Sequence, residues 1–118
     1  MSWTNWRKLA EKGVWYDDDF DYDGPACYEL GTGGPRGGQI EIHYVGDTRS
    51  ERQRMVAYAR HGSHLSTIID SHLRRGWTLY YRAIACSSKR EAKRLQDNFL
   101  RDFHYDWNRQ LNGVDDKD

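Results

Sequence analysis

Apolar and polar positions change their period several times along the chain, and each change marks an element. Through residues 39–45 they alternate. Ile40, Ile42 and Tyr44 fall on one face of an extended segment, and Gln39, Glu41, His43 and Val45 on the other. The β-prone run 26–30 precedes it, and Gly31, Gly33, Gly34, Pro35, Gly37 and Gly38 crowd between the two, which predicts a hairpin with a long glycine-rich tip. Beyond Gly46 the period lengthens. Ser50 with Gln53 three residues on has the form of a capping box opening a helix that runs to about His61. Ser63 can cap a second helix, whose stripe of Leu65, Ile68, Ile69, His72 and Leu73 is closed by Gly76. Residues 77–86 read as a strand again. Ser88 with Glu91 then opens a helix carrying Ala92, Leu95, Phe99 and Phe103 at helical spacing. In front of all this, residues 4–12, with Trp3, Trp6 and Leu9 near one face and Gly13 behind, predict a short helix packed as a lid. The expected fold is α+β: a three-stranded antiparallel sheet flanked by helices, in the order β-β-α-α-β-α. It is expected to span residues 25–108, between an N-terminal extension (1–24) and a frayed acidic tail (109–118).

Composition adds bounds to this picture. A chain of 118 residues has room for one modest core, stiffened by an aromatic content of 14%. Two cysteines far apart in sequence, with no apolar leader, point to a reducing cytoplasm and not to a disulfide framework, and no stretch approaches membrane-spanning length. The net charge of zero conceals an asymmetry. Residues 24–108 hold 13 Lys or Arg against 9 Asp or Glu, while residues 17–23 hold five Asp and the last four residues three more. A mildly basic body between acidic flanks suits a phosphate-bearing partner, although a solvated surface is the readier explanation of an excess of four charges. The acidic run itself has two readings: a solvated linker, or a flap that competes with nucleic acid for a basic groove.

The last helix holds an anomaly. At about 100° per residue Ala92, Phe99 and Phe103 define an apolar stripe, and Gln96 falls inside it. Either this is a buried amide satisfied by backbone, or the apolar face floors a cleft into which position 96 points.

At this point the residues resemble a known family, the GIY-YIG nuclease superfamily, over roughly residues 25–108. Ala26-Cys27-Tyr28 stands where that family has Gly-Ile-Tyr, and Tyr44-Val45-Gly46 where it has Tyr-Ile-Gly. Thr48 matches a Gly-x-Thr pattern, Arg54 falls ten residues after Tyr44, and Gln96 and Asn108 keep the twelve-residue separation of the family's glutamate and asparagine. Three features depart from the pattern: glutamine in place of glutamate, the glycine insertion between the tyrosine strands, and Tyr58 where many relatives have histidine. The resemblance implies a DNA endonuclease using Mg²⁺ or Mn²⁺. Tyr28 would contact the attacking water as base or positioner, Tyr44 would support it, Arg54 would hold the scissile phosphate, and Asn108 would fix the loop after the last helix or bond the phosphate. Gln96 stands at the metal ligand's place. DNA contacts are expected from Arg54, Arg36 on the hairpin tip, Tyr58 and the segment of His61 and His64.

Hydrolysis of a phosphodiester needs a base for the water, a cation against the charge growing on the phosphoryl oxygens, and stabilisation of the leaving oxygen. A free phenol, with a pKa near ~10, is a poor base at neutral pH unless a nearby cation lowers it. A hard ion prefers a charged carboxylate oxygen, which a carboxamide lacks. Position 96 therefore decides activity. Three readings are open: Gln96 is an engineered replacement of glutamate that keeps the nuclease inert or traps substrate, which the intact remaining positions favour; or it is natural to a non-catalytic DNA-binding or inhibitory protein; or Glu29, Glu41 or Asp47 holds the metal instead. A zinc site on His61, His64 and His72 with Cys27 or Cys86 is a further alternative, against which stands the lack of paired ligand spacing.

Overall fold

The computed structural model describes residues 2–16, 22–59 and 64–110. Five strands form one antiparallel sheet: β1 (Arg7–Glu11), β2 (Val14–Trp15), β3 (Ala26–Gly33), β4 (Glu41–Thr48) and β5 (Thr78–Ala85), in the order β2-β1-β5-β3-β4. Four helices accompany it: α1 (Glu51–Ala59), α2 (Ser66–Arg74), α3 (Lys89–Asp102) and α4 (Asp106–Gln110). From Ala26 onward the expected order holds, with α4 added. Among the described residues no helix is long and apolar enough to cross a membrane.

The sheet has five strands, not three, and the cause lies at the N-terminus. The segment expected as a helix is β1, which pairs with β5 from Arg7↔Tyr81 to Ala10↔Leu79. Gly13 is not a helix terminator: Lys12 (φ 49°) and Gly13 (φ 80°) are the two turn residues between Glu11 and its partner Val14. Two consecutive positive φ values suit the right-handed twist of a two-residue hairpin, and glycine takes the second without strain. A five-residue segment gains little from helical bonds of its own, whereas the open side of β5 offers it a complete backbone partner.

The sheet separates two packed faces. Tyr28, Leu30, Tyr44, Leu79 and Tyr81 face Met55 and Tyr58 of α1, Leu65 just before α2 and Ile69 of α2, with Trp107 of α4 completing that core. On the other face Cys27, Val45 and Cys86 meet Ala92 of α3 and Tyr105. Local signals are met where they were read. Ser50 accepts from the Gln53 amide, and Ser88 from the Glu91 amide. Glu91 reaches back to the Ser87 amide. The His72 and Leu73 carbonyls accept from the Trp77 and Gly76 amides to close α2. Leu65, not Ser63, is the N-cap of α2 and it makes no side-chain cap; Ser63 lies outside the described residues.

Strict alternation along β4 fails at one place. Leu30 pairs with Tyr44 and Gly31 with Ile42, so His43 is an extra, bulged residue. Ile42 therefore turns away from the Tyr44 face and is 40% exposed, while the His43 ring is buried against Trp107.

Candidate functional site

Each tyrosine of the two strand motifs is delivered to the α1–α2 face. Tyr28 and Gly46 are direct cross-strand partners, and a Cβ at Gly46 would stand 2.6 Å from the Tyr28 ring. Glycine at this position is thus what lets the Tyr28 phenol lie flat across β4. The ring then meets Tyr44 at 6.2 Å and Tyr58 at 6.1 Å, and the Tyr28 and Tyr58 hydroxyls share a 2.8 Å hydrogen bond. All three rings are at most 1% exposed. Arg54 stands one helical turn before Tyr58 on α1 and is also buried. His64 lies half-buried beside Tyr44 with its ring 6.0 Å away. Tyr28, Tyr44, Arg54, Tyr58 and His64 are therefore gathered. The enclosure of Tyr58 makes it a support for Tyr28 and not a surface contact.

Gln96 comes from the opposite side of the sheet. It shares the buried stripe of α3 with Ala92, as its sequence position indicates, and is 6% exposed. Its Oε1 is enclosed and has no hydrogen-bond partner. A buried acceptor left unmet costs about 1–3 kcal/mol, so this oxygen is poised for a donor or cation. The backbone-satisfied reading of the amide fails at that atom.

The alternative carboxylates are already committed. Glu29 is ion-paired with Arg82 at 2.7 Å and accepts from the Tyr105 hydroxyl. Burial and that bond to a carboxylate hold the Tyr105 phenol far above its ordinary range. Asp47 is ion-paired with Lys89 at 2.7 Å. Glu41 is exposed near His43. No group of three or more His, Cys, Asp or Glu converges among the described residues. The zinc alternative is scattered likewise: His64 sits by Tyr44, His72 by His43 and Trp107, and the cysteines on the α3 face, where burial raises both thiols. His61 and residues 17–21 of the acidic run lie outside the described residues. Asp23, the last of that run, accepts from the Ser50 hydroxyl at the start of α1.

Asn108 has a different occupation. Its Oδ1 accepts from the Val45 amide at 2.9 Å and its Nδ2 donates to the Val45 carbonyl at 3.0 Å. It ties α4 to β4, which is the loop-fixing alternative. Arg36 is exposed on the β3–β4 loop beyond Gly33, roughly 17 Å along the strand from Tyr28 at ~3.3 Å per residue. It is not part of the gathered set.

Several groups had no individual signal in sequence. Arg82 lies between the Trp3 and Trp6 rings, 4.6 Å from each centroid. A lone charge in an otherwise apolar strand is the clue that could have found it. His43 Nδ1 meets Asp106 at 2.9 Å and its Nε2 meets Thr32 Oγ1 at 2.9 Å, with the ring stacked on Trp107 at 4.6 Å. Carboxylate, imidazole and hydroxyl thus stand in the order of a hydrolytic triad, but Thr32 is 1% exposed and no substrate reaches it.

Comparison with known proteins agrees with the motif spacing. A family model described as GIY-YIG domain-containing protein matches residues 21–118. Protein EFFECTOR OF TRANSCRIPTION 2 of Arabidopsis thaliana is 26% identical over a 152-residue alignment that takes in 93% of this chain and 32% of that protein, so the chain spans about a third of the relative's length. No solved structure matches the chain.

Proposed function

The chain belongs to the GIY-YIG domain family, a nuclease family, and from that premise we propose that it is a DNA endonuclease module whose metal-dependent cleavage is silenced at Gln96. One observation carries the reading: a buried, partnerless carboxamide oxygen at the position where the family pattern has its metal-binding glutamate. The family relationship implies Mg²⁺ or Mn²⁺. The donors present do not fit such an ion well. Gln96 offers one neutral oxygen, and Glu29 and Asp47 are held by Arg82 and Lys89. Arg54 has the planar fork suited to a phosphate, and binding through it requires the α1–α2 face to open, because Arg54 and Tyr28 are buried and the Tyr28–Tyr58 hydrogen bond holds the phenol inside the core. Asn108 holds the terminal helix in place behind them.

The test is Gln96→Glu. The variant is expected to nick or linearise supercoiled plasmid with Mg²⁺ or Mn²⁺ and to stop with chelator, at least ~100-fold above the parent. A second readout is independent of turnover: an unpaired buried carboxylate lowers the variant's melting temperature in chelator, and added Mg²⁺ restores it. A variant inert with every divalent ion tried, and indifferent to them in melting, overturns the proposal.

The Arabidopsis relative's name, an effector of transcription, favours a second reading, DNA binding without cleavage. Under it the parent chain binds duplex with an affinity that falls as salt rises, and Gln96→Glu changes neither binding nor strand integrity.

A further inference from the structure

A recess lies on the α3 face, outside the tyrosine cluster. It is a cavity of about 290 Å³. Trp3, Ile42, Phe99 and Phe103 form its walls, and Glu29, Arg82 and Tyr105 its polar floor. The rings are tilted in series, Trp3 on Phe99 at 5.2 Å and Phe99 on Phe103 at 6.2 Å, and Phe103 leaves 61% of its surface to solvent. Ile42 reaches this wall only because of the bulge at His43.

The floor selects by charge. Glu29 is neutralised by Arg82 and capped by Tyr105, so the recess has no uncompensated anion to draw an ammonium group, and its apolar walls do not suit a free anion. A flat, uncharged ring that can also accept a hydrogen bond from the guanidinium fits both parts. An aliphatic side chain would stack less well and would leave the polar floor unmet. Position narrows the class further. Phe99 and Phe103 follow Gln96 by three and seven residues, about 4–10 Å along α3 at ~1.5 Å per residue, which is roughly one to three nucleotide steps of ~3.4 Å.

We propose that the cavity receives one unstacked nucleobase from a DNA strand whose backbone runs along the outside of α3 near the Gln96 turn. The base lies against Phe103 and Phe99, and its edge meets Arg82. The inference rests on the nucleic-acid reading above, and it makes the module a reader of locally unpaired DNA as well as of phosphates.

The test uses the full chain and a short single-stranded oligonucleotide carrying one 2-aminopurine, with matched oligonucleotides bearing an abasic site at each position in turn. Expected are a change in 2-aminopurine emission on binding and a 5-fold to 50-fold loss of affinity at one abasic position, on the order of one stacked base. Phe103→Ala should abolish both effects while retaining salt-dependent binding. Ile42→Ala, on the opposite wall, should weaken them. Salt-dependent binding that ignores base removal and Phe103→Ala overturns this inference and leaves the DNA reading intact, the recess then suiting an apolar protein side chain. Absence of any salt-dependent binding overturns both.

Discussion

The two faces of the sheet use polar groups in opposite ways. On the α1–α2 face the Tyr28 and Tyr58 hydroxyls are paired with each other inside an aromatic core closed to solvent, with the His43–Asp106 contact at its edge. On the α3 face the polar groups are charged pairs, Glu29–Arg82 and Asp47–Lys89, beside an unmet carboxamide and an open recess. The strand tyrosines are spent on architecture to a degree their motif does not suggest. The chemistry still available lies largely on the side of α3.

The largest effect should come from breaking the charged face at its centre. Glu29→Ala leaves Arg82 facing Tyr105 and the tryptophans without its carboxylate, and unfolding in urea should show a loss of about 3 kcal/mol. A loss below about 1 kcal/mol would mean that the tryptophan stack alone holds the guanidinium. On the closed face Gly46→Ala forces a methyl against the Tyr28 ring and should lose about 2 kcal/mol. The double variant with Tyr28→Leu should lose less than the two singles added together, and additivity would refute the contact. Tyr58→Phe, which removes the hydroxyl shared with Tyr28, should lose about 1 kcal/mol, measured the same way.

The smallest effect has the opposite sign. Burial raises the Glu51 carboxyl above its ordinary range, against a weaker pull from Arg7. An acid that is easier to protonate in the folded chain than in the unfolded one weighs against folding once it must ionise. Glu51→Gln should therefore raise the melting temperature at neutral pH, with the gain disappearing as pH falls below the usual carboxyl range. A gain that persists at low pH would assign the effect to something other than charge.

From Ala26 to Asp102 the fold was legible because each element announced itself locally, through the caps at Ser50 and Ser88 and the stripes of α2 and α3. The N-terminus misled because Gly13 supports a helix end and a hairpin turn equally, and only the open side of β5 decides between them. The α4 turn and the His43 bulge were hidden for a related reason. Both are fixed by partners 63 residues apart, Val45 with Asn108 and His43 with Asp106. For the candidate site, spacing singled out Tyr28, Tyr44, Arg54 and Gln96, but nothing local shows that the sheet separates the tyrosines from Gln96. Arg82 and its tryptophan bracket depend on β1, and were lost with it.

The Asn108 side chain has a consequence for how the molecule meets copies of itself. β4 ends the sheet, and an eight-residue terminal strand exposes backbone donors and acceptors that another chain could extend. At Val45 the carboxamide fills both positions as a further strand would, yet offers no new row of donors beyond it. Two residues earlier the bulge at His43 breaks the regular spacing an incoming strand would need. At the other end the sheet closes with β2, which is only two residues long. Among the described residues, both sides of the sheet thus offer an incoming strand only a short or interrupted hydrogen-bond ladder.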